Sequence, residues 1–252
     1  MKLLAFDTST DVMSLAVQHG GAVFAHSSAG GARTSAELIP AILALLKEAG
    51  LALAELDAIA FGRGPGSFTG LRTACAVAQG LAFGAGLLVL PIDTLAAVAD
   101  EARFLHFGAS GAAGAVGNSA AAGAPEATGA AKAVKICAAL DARMGEWYLA
   151  YYDFHSALSP YDADIGQISS KNFDLIKPEA WEPPAGYALA GNVPHPACLP
   201  ALPTATAMLR LAPALLARGL AQRPEQALPL YVRDKVAQTT AERDDAKRAL
   251  AA

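Results

Sequence analysis

Basic residues are too few for this chain to bind nucleic acid unaided. Its 19 lysines and arginines face 23 aspartates and glutamates, a net charge of −4, whereas such binders leave a basic footprint. If RNA is involved, a partner supplies most of the phosphate contacts. Cysteine is also scarce. Cys75, Cys137 and Cys198 are odd in number and far apart, which excludes a disulfide framework and reads as a reduced, cytoplasmic protein. The histidines His19, His26, His106, His155 and His195 form no i, i+4 pair and no H-E-x-x-H, so the sequence spells no metal site. Ser67 lacks the G-x-S-x-G setting of a hydrolase nucleophile. The apolar run at the start stops at Asp7, too short for a signal segment. Ala74–Ile92 carries no charge over nineteen residues, close to a membrane span. Its Gly84–Gly86 break separates a helix-like half from a strand-like half, so it reads as a buried helix and then a buried strand.

What is abundant is alanine, 60 of 252 residues. That length suits one large domain or two lobes. Short apolar runs at Leu3–Phe6, Ser14–Val17 and Ala22–Ala25 predict a three-stranded antiparallel meander. A helix is expected from Thr34 to Ala49, capped by Thr34 or Ser35, then a strand at Asp57–Phe61. The glycine-rich loop Gly62–Gly70 leads into a helix from Thr69 to Phe83, followed by a strand at Leu87–Ile92 and a helix from Thr94. This alternation means an α/β lobe, taken as residues 1–105. An insertion is placed at 106–131. Within it, seventeen of the twenty-four residues of Gly108–Ala131 are Gly or Ala, too little apolar mass to offset the entropy of ordering. The second lobe, 132–252, repeats the opening: a strand Val134–Leu140 ending in Asp141, a turn at Arg143–Gly145, and a returning strand Glu146–Asp153. Asp7 and Asp141 thus stand at matching places of a duplicated architecture. A strand at Tyr187–Ala190, an amphipathic helix Thr204–Ala217 and a charged tail Asp234–Arg248 complete it.

The loop GRGPGSFTGLRT, Gly62–Thr73, passes from strand to helix, where backbone N–H groups can face an anion. It contains no Gly-Lys-Ser/Thr, and Thr69 takes the third glycine place of the dinucleotide fingerprint. A tight turn whose glycines permit close packing is the favoured reading, with anion binding the other. Asp7 and Asp141 either cap their turns or face each other across a cleft. Both helices of the first lobe are apolar all round. Leu38, Ile42, Leu45 and Ala49 form one stripe and Ile39, Leu43 and Leu46 another; Ala76, Val77, Gly80, Phe83 and Gly84 make a second face on the later helix. Such helices are covered on both sides, here by internal packing or by a protein partner.

The segments LLAFDTST from Leu3, FGRGPGSFTGLRTACAVAQGLAFG from Phe61, ALDARMGEWYLAYY from Ala139, AGN at Ala190 and PLYVRDKVA near the end together resemble the bacterial TsaB (YeaZ) family. The resemblance implies a two-lobed α/β fold of the actin/Hsp70/sugar-kinase (ASKHA) type. It implies a subunit of the machinery that makes N6-threonylcarbamoyladenosine at position 37 of tRNAs reading codons that begin with A. Transfer from threonylcarbamoyl-adenylate would occur on the related subunit TsaD, with TsaE as ATPase partner; ATP and metal would sit on those partners. This chain would carry no cofactor and no catalytic residue. The histidine pair that TsaD carries for metal has no counterpart in Thr34–Leu38, so an M22-type protease activity has no basis in these residues. Asp7, Thr8, Ser9, Asp141 and Gly191 would line a vestigial nucleotide cleft, with Ser9 standing where active members place a glycine. TsaD, or a second copy when TsaD is absent, would dock on Leu38, Ile39, Ile42, Leu46, Ala76, Val77, Gly80 and Phe83. A stand-alone actin-fold ATPase or small-molecule kinase is the alternative. The composition of Gly108–Ala131 makes one prediction: its deletion should leave folding and partner binding intact, and limited proteolysis should cut there first. Strong protection of the segment would contradict this.

Overall fold

The computed structural model describes residues 1–31, 33–107, 134–154 and 173–233. The candidate insertion Gly108–Ala131 and the charged tail lie outside the described residues. Strands β1 (Lys2–Asp7), β2 (Val12–His19) and β3 (Ala22–Ala29) form the expected meander. Helix α1 (Thr34–Glu48), β4 (Ala58–Gly64), α2 (Phe68–Ala85), β5 (Leu88–Asp93) and α3 (Thr94–Phe107) follow. His106 and Phe107, expected in the insertion, are therefore helical. The cap of α1 differs from expectation: Arg33, not Thr34 or Ser35, precedes it, and neither Arg33 nor Ser67, which precedes α2, makes a side-chain cap. The uncharged stretch divides as predicted: α2 ends at Gly86, whose φ of 68° is left-handed, and β5 begins at Leu88. Among the described residues no helix is long and apolar enough to cross a membrane.

The second half contains β6 (Val134–Asp141), β7 (Trp147–Phe154), β8 (Asp174–Ile176), β9 (Ala188–Gly191), β10 (Leu199–Pro200) and α4 (Ala205–Ala217). The two sheets run β3-β2-β1-β4-β5 and β10-β9-β6-β7-β8. Read from its β8 edge, the second repeats the first. An antiparallel meander of three strands is extended by two strands parallel to its first member. The duplication inferred from Asp7 and Asp141 is thus present in the topology.

β1 and β4 are buried on both faces, which is why they read as unbroken apolar runs. Large residues such as Leu4, Phe6, Leu15 and Phe61 face α1 and α2. Small ones, Ala5, Ala16, Ala58 and Ala60, share a core with α3, α4 and the second sheet. The helices of this middle layer are exchanged. α3 follows the first sheet but packs on β6, β7 and β9, and α4 follows the second sheet but packs on β1, β2 and β4.

A buried charge cluster joins the exchanged helices. Asp100 accepts from Arg103 at 2.7 Å and from Arg210 at 2.6 Å, and Arg210 also reaches Glu101 at 2.6 Å. Burial opposes the Arg210 charge, but the carboxylates of Asp100 and Glu101 outweigh it and raise its pKa. Removing one member of such a cluster leaves buried charge uncompensated. Arg210→Ala should therefore cost about 3 kcal/mol, the low end for a buried pair because Asp100 keeps Arg103. A lowered urea midpoint measures it; an unchanged midpoint would mean the cluster holds nothing together.

Candidate functional site

Two regions qualify: the cleft between the sheets and the outward face of α1 and α2. The cleft, about 520 Å3, is lined by Ser9, Thr10, Asp11, Ser67, Asp141, Arg143, Asn192, Tyr231 and Arg233 among others. Asp7 is absent from that lining and fully buried. Its Oδ1 accepts from the Ser9 amide at 2.8 Å and the Ser9 hydroxyl at 2.6 Å. Asp141 repeats the motif, accepting from the Arg143 amide at 2.8 Å. Each aspartate therefore ties down its own turn. Only Asp141 borders the cleft, so Asp7 and Asp141 are not paired across it. Thr8 is turned away as well, donating to the Gly70 carbonyl at 2.7 Å.

The glycine loop serves packing, as the favoured reading had it. A Cβ at Gly70 would lie 1.8 Å from the Thr8 carbonyl oxygen, and one at Gly62 1.8 Å from Asp7 Oδ2. The Ser67 amide donates to the Ser9 carbonyl at 2.7 Å. The loop thus packs on the Asp7 turn, and the Ser9 side chain folds back onto the Asp7 carboxylate. At Gly191 a Cβ would meet the Ala139 carbonyl at 1.7 Å, so that glycine also serves strand packing.

Two connections bridge the cleft mouth. Arg143 reaches Asp11 at 2.9 Å, both well exposed. The segment after Ala227 crosses from the first sheet to the second. The Leu230 amide donates to the Arg63 carbonyl at 2.7 Å, Tyr231 packs on Phe68, and Arg233 pairs with Glu146. Burial pushes the Cys137 thiol up to about 12 and raises Cys75 and Cys198, which leaves the cysteines poorly suited to nucleophilic work.

The outward helical face is a different surface. Leu38, Ile42 and Leu46, expected at an interface, are buried in the lobe's own core. They lie on the side of α1 that covers the sheet. The adjacent stripe is the outward one: Ile39 is 40% exposed and Leu43 52%. On α2, Ala76, Gly80 and Phe83 are exposed and Val77 is half-buried, with Phe83 at 76%. A Cβ at Gly80 would meet nothing within 4 Å. Sequence reasoning missed Arg72 and Tyr231, which meet at the end of this face. They are 159 residues apart, and no spacing rule connects them.

The family model described as TsaD, tRNA N6-adenosine threonylcarbamoyltransferase, matches residues 25–110. The tRNA threonylcarbamoyladenosine biosynthesis protein TsaB of Haemophilus influenzae is 40% identical over 149 residues, 59% of this chain and 52% of that protein. The protein of the same name from Escherichia coli K12 is 31% identical over 251 residues, covering 94% of this chain and 96% of its own. The solved structure of YeaZ from Pseudomonas aeruginosa is 33% identical. It covers 92% of this chain and 99% of that one, at a TM-score of 0.71.

Asp7 supplies a pH prediction. Burial pushes its carboxyl up from 3.8 to about 6, against the pull of the Ser9 and Thr94 hydrogen bonds. Between these values the unfolded chain releases the proton first, so stability falls as pH rises, by up to about 3 kcal/mol. Asp7→Asn keeps an acceptor for Ser9 and removes the ionisation. Its stability relative to the unmutated chain should climb from pH 4 to pH 6 and level off above. Parallel urea-midpoint curves over that window would refute it.

Proposed function

The chain belongs to the TsaB (YeaZ) family, and from that premise we propose that it is a non-catalytic subunit in tRNA threonylcarbamoyladenosine biosynthesis, acting by docking on TsaD. The observation that carries the docking reading is the outward apolar face of α1 and α2. Ile39, Leu43 and Phe83 are exposed there around Ala76 and Gly80, which allow close backbone approach. Contiguous exposed apolar surface marks an interaction site. The match of residues 25–110 to the TsaD family description covers both helices. A partner built on the same plan would present an equivalent pair, and the two pairs would close into a four-helix layer. Without TsaD, a second copy of this chain would take its place.

The doubled sheet topology supports an actin/Hsp70/sugar-kinase-like fold. The non-catalytic reading rests on Asp7. In an active member of that fold, the first turn must admit phosphate; here the glycine loop packs on the turn and Ser9 folds its hydroxyl onto Asp7. ATP hydrolysis is accordingly assigned to TsaE, metal and transfer to TsaD, and tRNA contact to the assembly. An open cleft that retains Asp141, Arg143 and Asn192 keeps one second reading, a stand-alone nucleotide-binding enzyme. Titration calorimetry separates the two. Micromolar, magnesium-dependent ATP binding by the isolated chain, or tRNA modification by it alone, would favour the second.

Gly80→Leu tests the docking face. Its side chain would enter open space, and leucine is the better helix former, so thermal stability should hold or rise slightly. In a close helix layer the added bulk costs about 1–3 kcal/mol, which weakens TsaD affinity roughly tenfold to a hundredfold. Unchanged affinity in the folded variant would remove this face from the interface.

A further inference from the structure

We propose that Arg72, Phe68 and Tyr231 form a preset anchor for a carboxylate carried by a TsaD helix, seated in the groove beside the first turns of α2. This rests on the docking reading above and extends it from an apolar face to one specific charged contact.

Arg72 is held on two sides. Its guanidinium lies 3.8 Å from the centroid of the Phe68 ring, and its Nε donates to the Tyr231 hydroxyl at 3.0 Å. The two rings pack at 5.2 Å. Tyr231 is fixed in turn by its neighbour, whose amide donates to the Arg63 carbonyl at 2.7 Å. An arginine already held in this way loses little rotamer freedom on binding. Among the described residues, Nη1 and Nη2 of Arg72 make no hydrogen bond or ion pair. Two adjacent N–H donors on a planar fork, exposed and unclaimed by any described residue, match a carboxylate.

The groove holds about 420 Å3, and the rest of its lining, Ser35, Thr69, Thr73, Ala76 and Val77, is uncharged. Among the described residues, no acid in it competes for the guanidinium. Ala76 and Val77 also belong to the outward apolar face, so an occupant of that face reaches Arg72 without a break. Charge complementarity therefore selects an acidic side chain at the end of a helix whose remaining contacts are small and apolar. Exposed Arg and Tyr packed at the end of an apolar face are the residue types that dominate binding energy.

The test measures affinity for purified cognate TsaD, without RNA, at low and high salt. Arg72→Gln should weaken binding about tenfold to thirtyfold at low salt and flatten its salt dependence. Arg72→Lys keeps the charge but not the stack or the fork, and should fall between. Tyr231→Phe keeps the ring and frees Nε, for a loss of about threefold. Arg72 and Tyr231 are exposed, so the variants should melt with the unmutated chain. Gly80→Leu serves as the control, weakening binding with its salt dependence intact. If Gly80→Leu weakens binding and the Arg72 variants do not, the anchor is overturned and the docking reading stands. If neither weakens it, both fail. Lysine as good as arginine would overturn the preset fork. An Arg72 effect seen only when tRNA is added would make the ligand a phosphate and overturn the carboxylate.

Discussion

Backbone lying directly on backbone, at the meeting of the glycine loop with the Asp7 turn, constrains much of the rest. The loop reaches that turn because positions 62 and 70 carry no side chain; a Cβ at either would fall within 2 Å of Asp7 or Thr8. Several features follow from this one approach. Asp7 loses its water and holds its proton to a higher pH. Ser9 is clamped by the Asp7 carboxylate and by the Ser67 amide. α2 starts at Phe68 on the rim of the cleft, which places Phe68 and Arg72 where the returning segment at Tyr231 can meet them. A glycine-rich strand-to-helix turn thus packs as the favoured reading had it, and its consequence moves outward to the helix that leaves it.

The alanine content has a location. The layer between the sheets is made largely of small side chains: Ala96, Ala97, Ala99 and Ala102 on α3, Ala205, Ala207 and Ala212 on α4, and the alanines of β1, β2, β4 and β6 that face them. Small residues let helices and sheets approach closely, and dense packing offsets the modest apolar area of each. Because α3 and α4 have exchanged sheets, each packs on the half that did not precede it. The Asp100–Arg210 contact crosses between the two helices. Relative movement of the halves must disturb this layer, while the contacts at the cleft mouth, Arg143 to Asp11 among them, are exposed and weak.

Much of this was legible in the sequence because it is periodic or repeated. The two strand–Asp–turn–strand units showed the duplication, and alternating apolar runs and glycine breaks located most elements to within a few residues. The orientation of α1 was not legible. Its stripes through Leu38 and Ile42 and through Ile39 and Leu43 are equally apolar, and a helix apolar all round gives periodicity no face to choose. Nothing in the sequence therefore separates the two stripes, and Leu38, Ile42 and Leu46, expected at an interface, lie in the core. The exchange of α3 and α4 left no trace either, since a buried helix looks the same whichever sheet covers it. The Arg72–Tyr231 contact depends on where a distant segment returns, which composition and spacing do not encode.

The duplication is unequal in a way that bears on docking. The outer face of the first sheet is covered by α1 and α2, whose own outer sides are apolar and uncovered. Among the described residues, the outer face of the second is covered by irregular chain. There Trp181, Tyr187 and Cys198 pack on Cys137, Trp147 and Leu189, and Trp147 meets Trp181 and His195 edge-on. Aromatic side chains on a loop can close a sheet face by themselves, because each buries a large area. A helix that covers a sheet with one side must do something with the other. When that side is polar the stack ends; when it carries Ile39, Leu43 and Phe83 the stack is short by one layer. Of the two halves, the first is therefore the one on which the proposed docking rests. The small residues of α2 set how closely that chain can approach, and Arg72 marks the end at which its charge would be read.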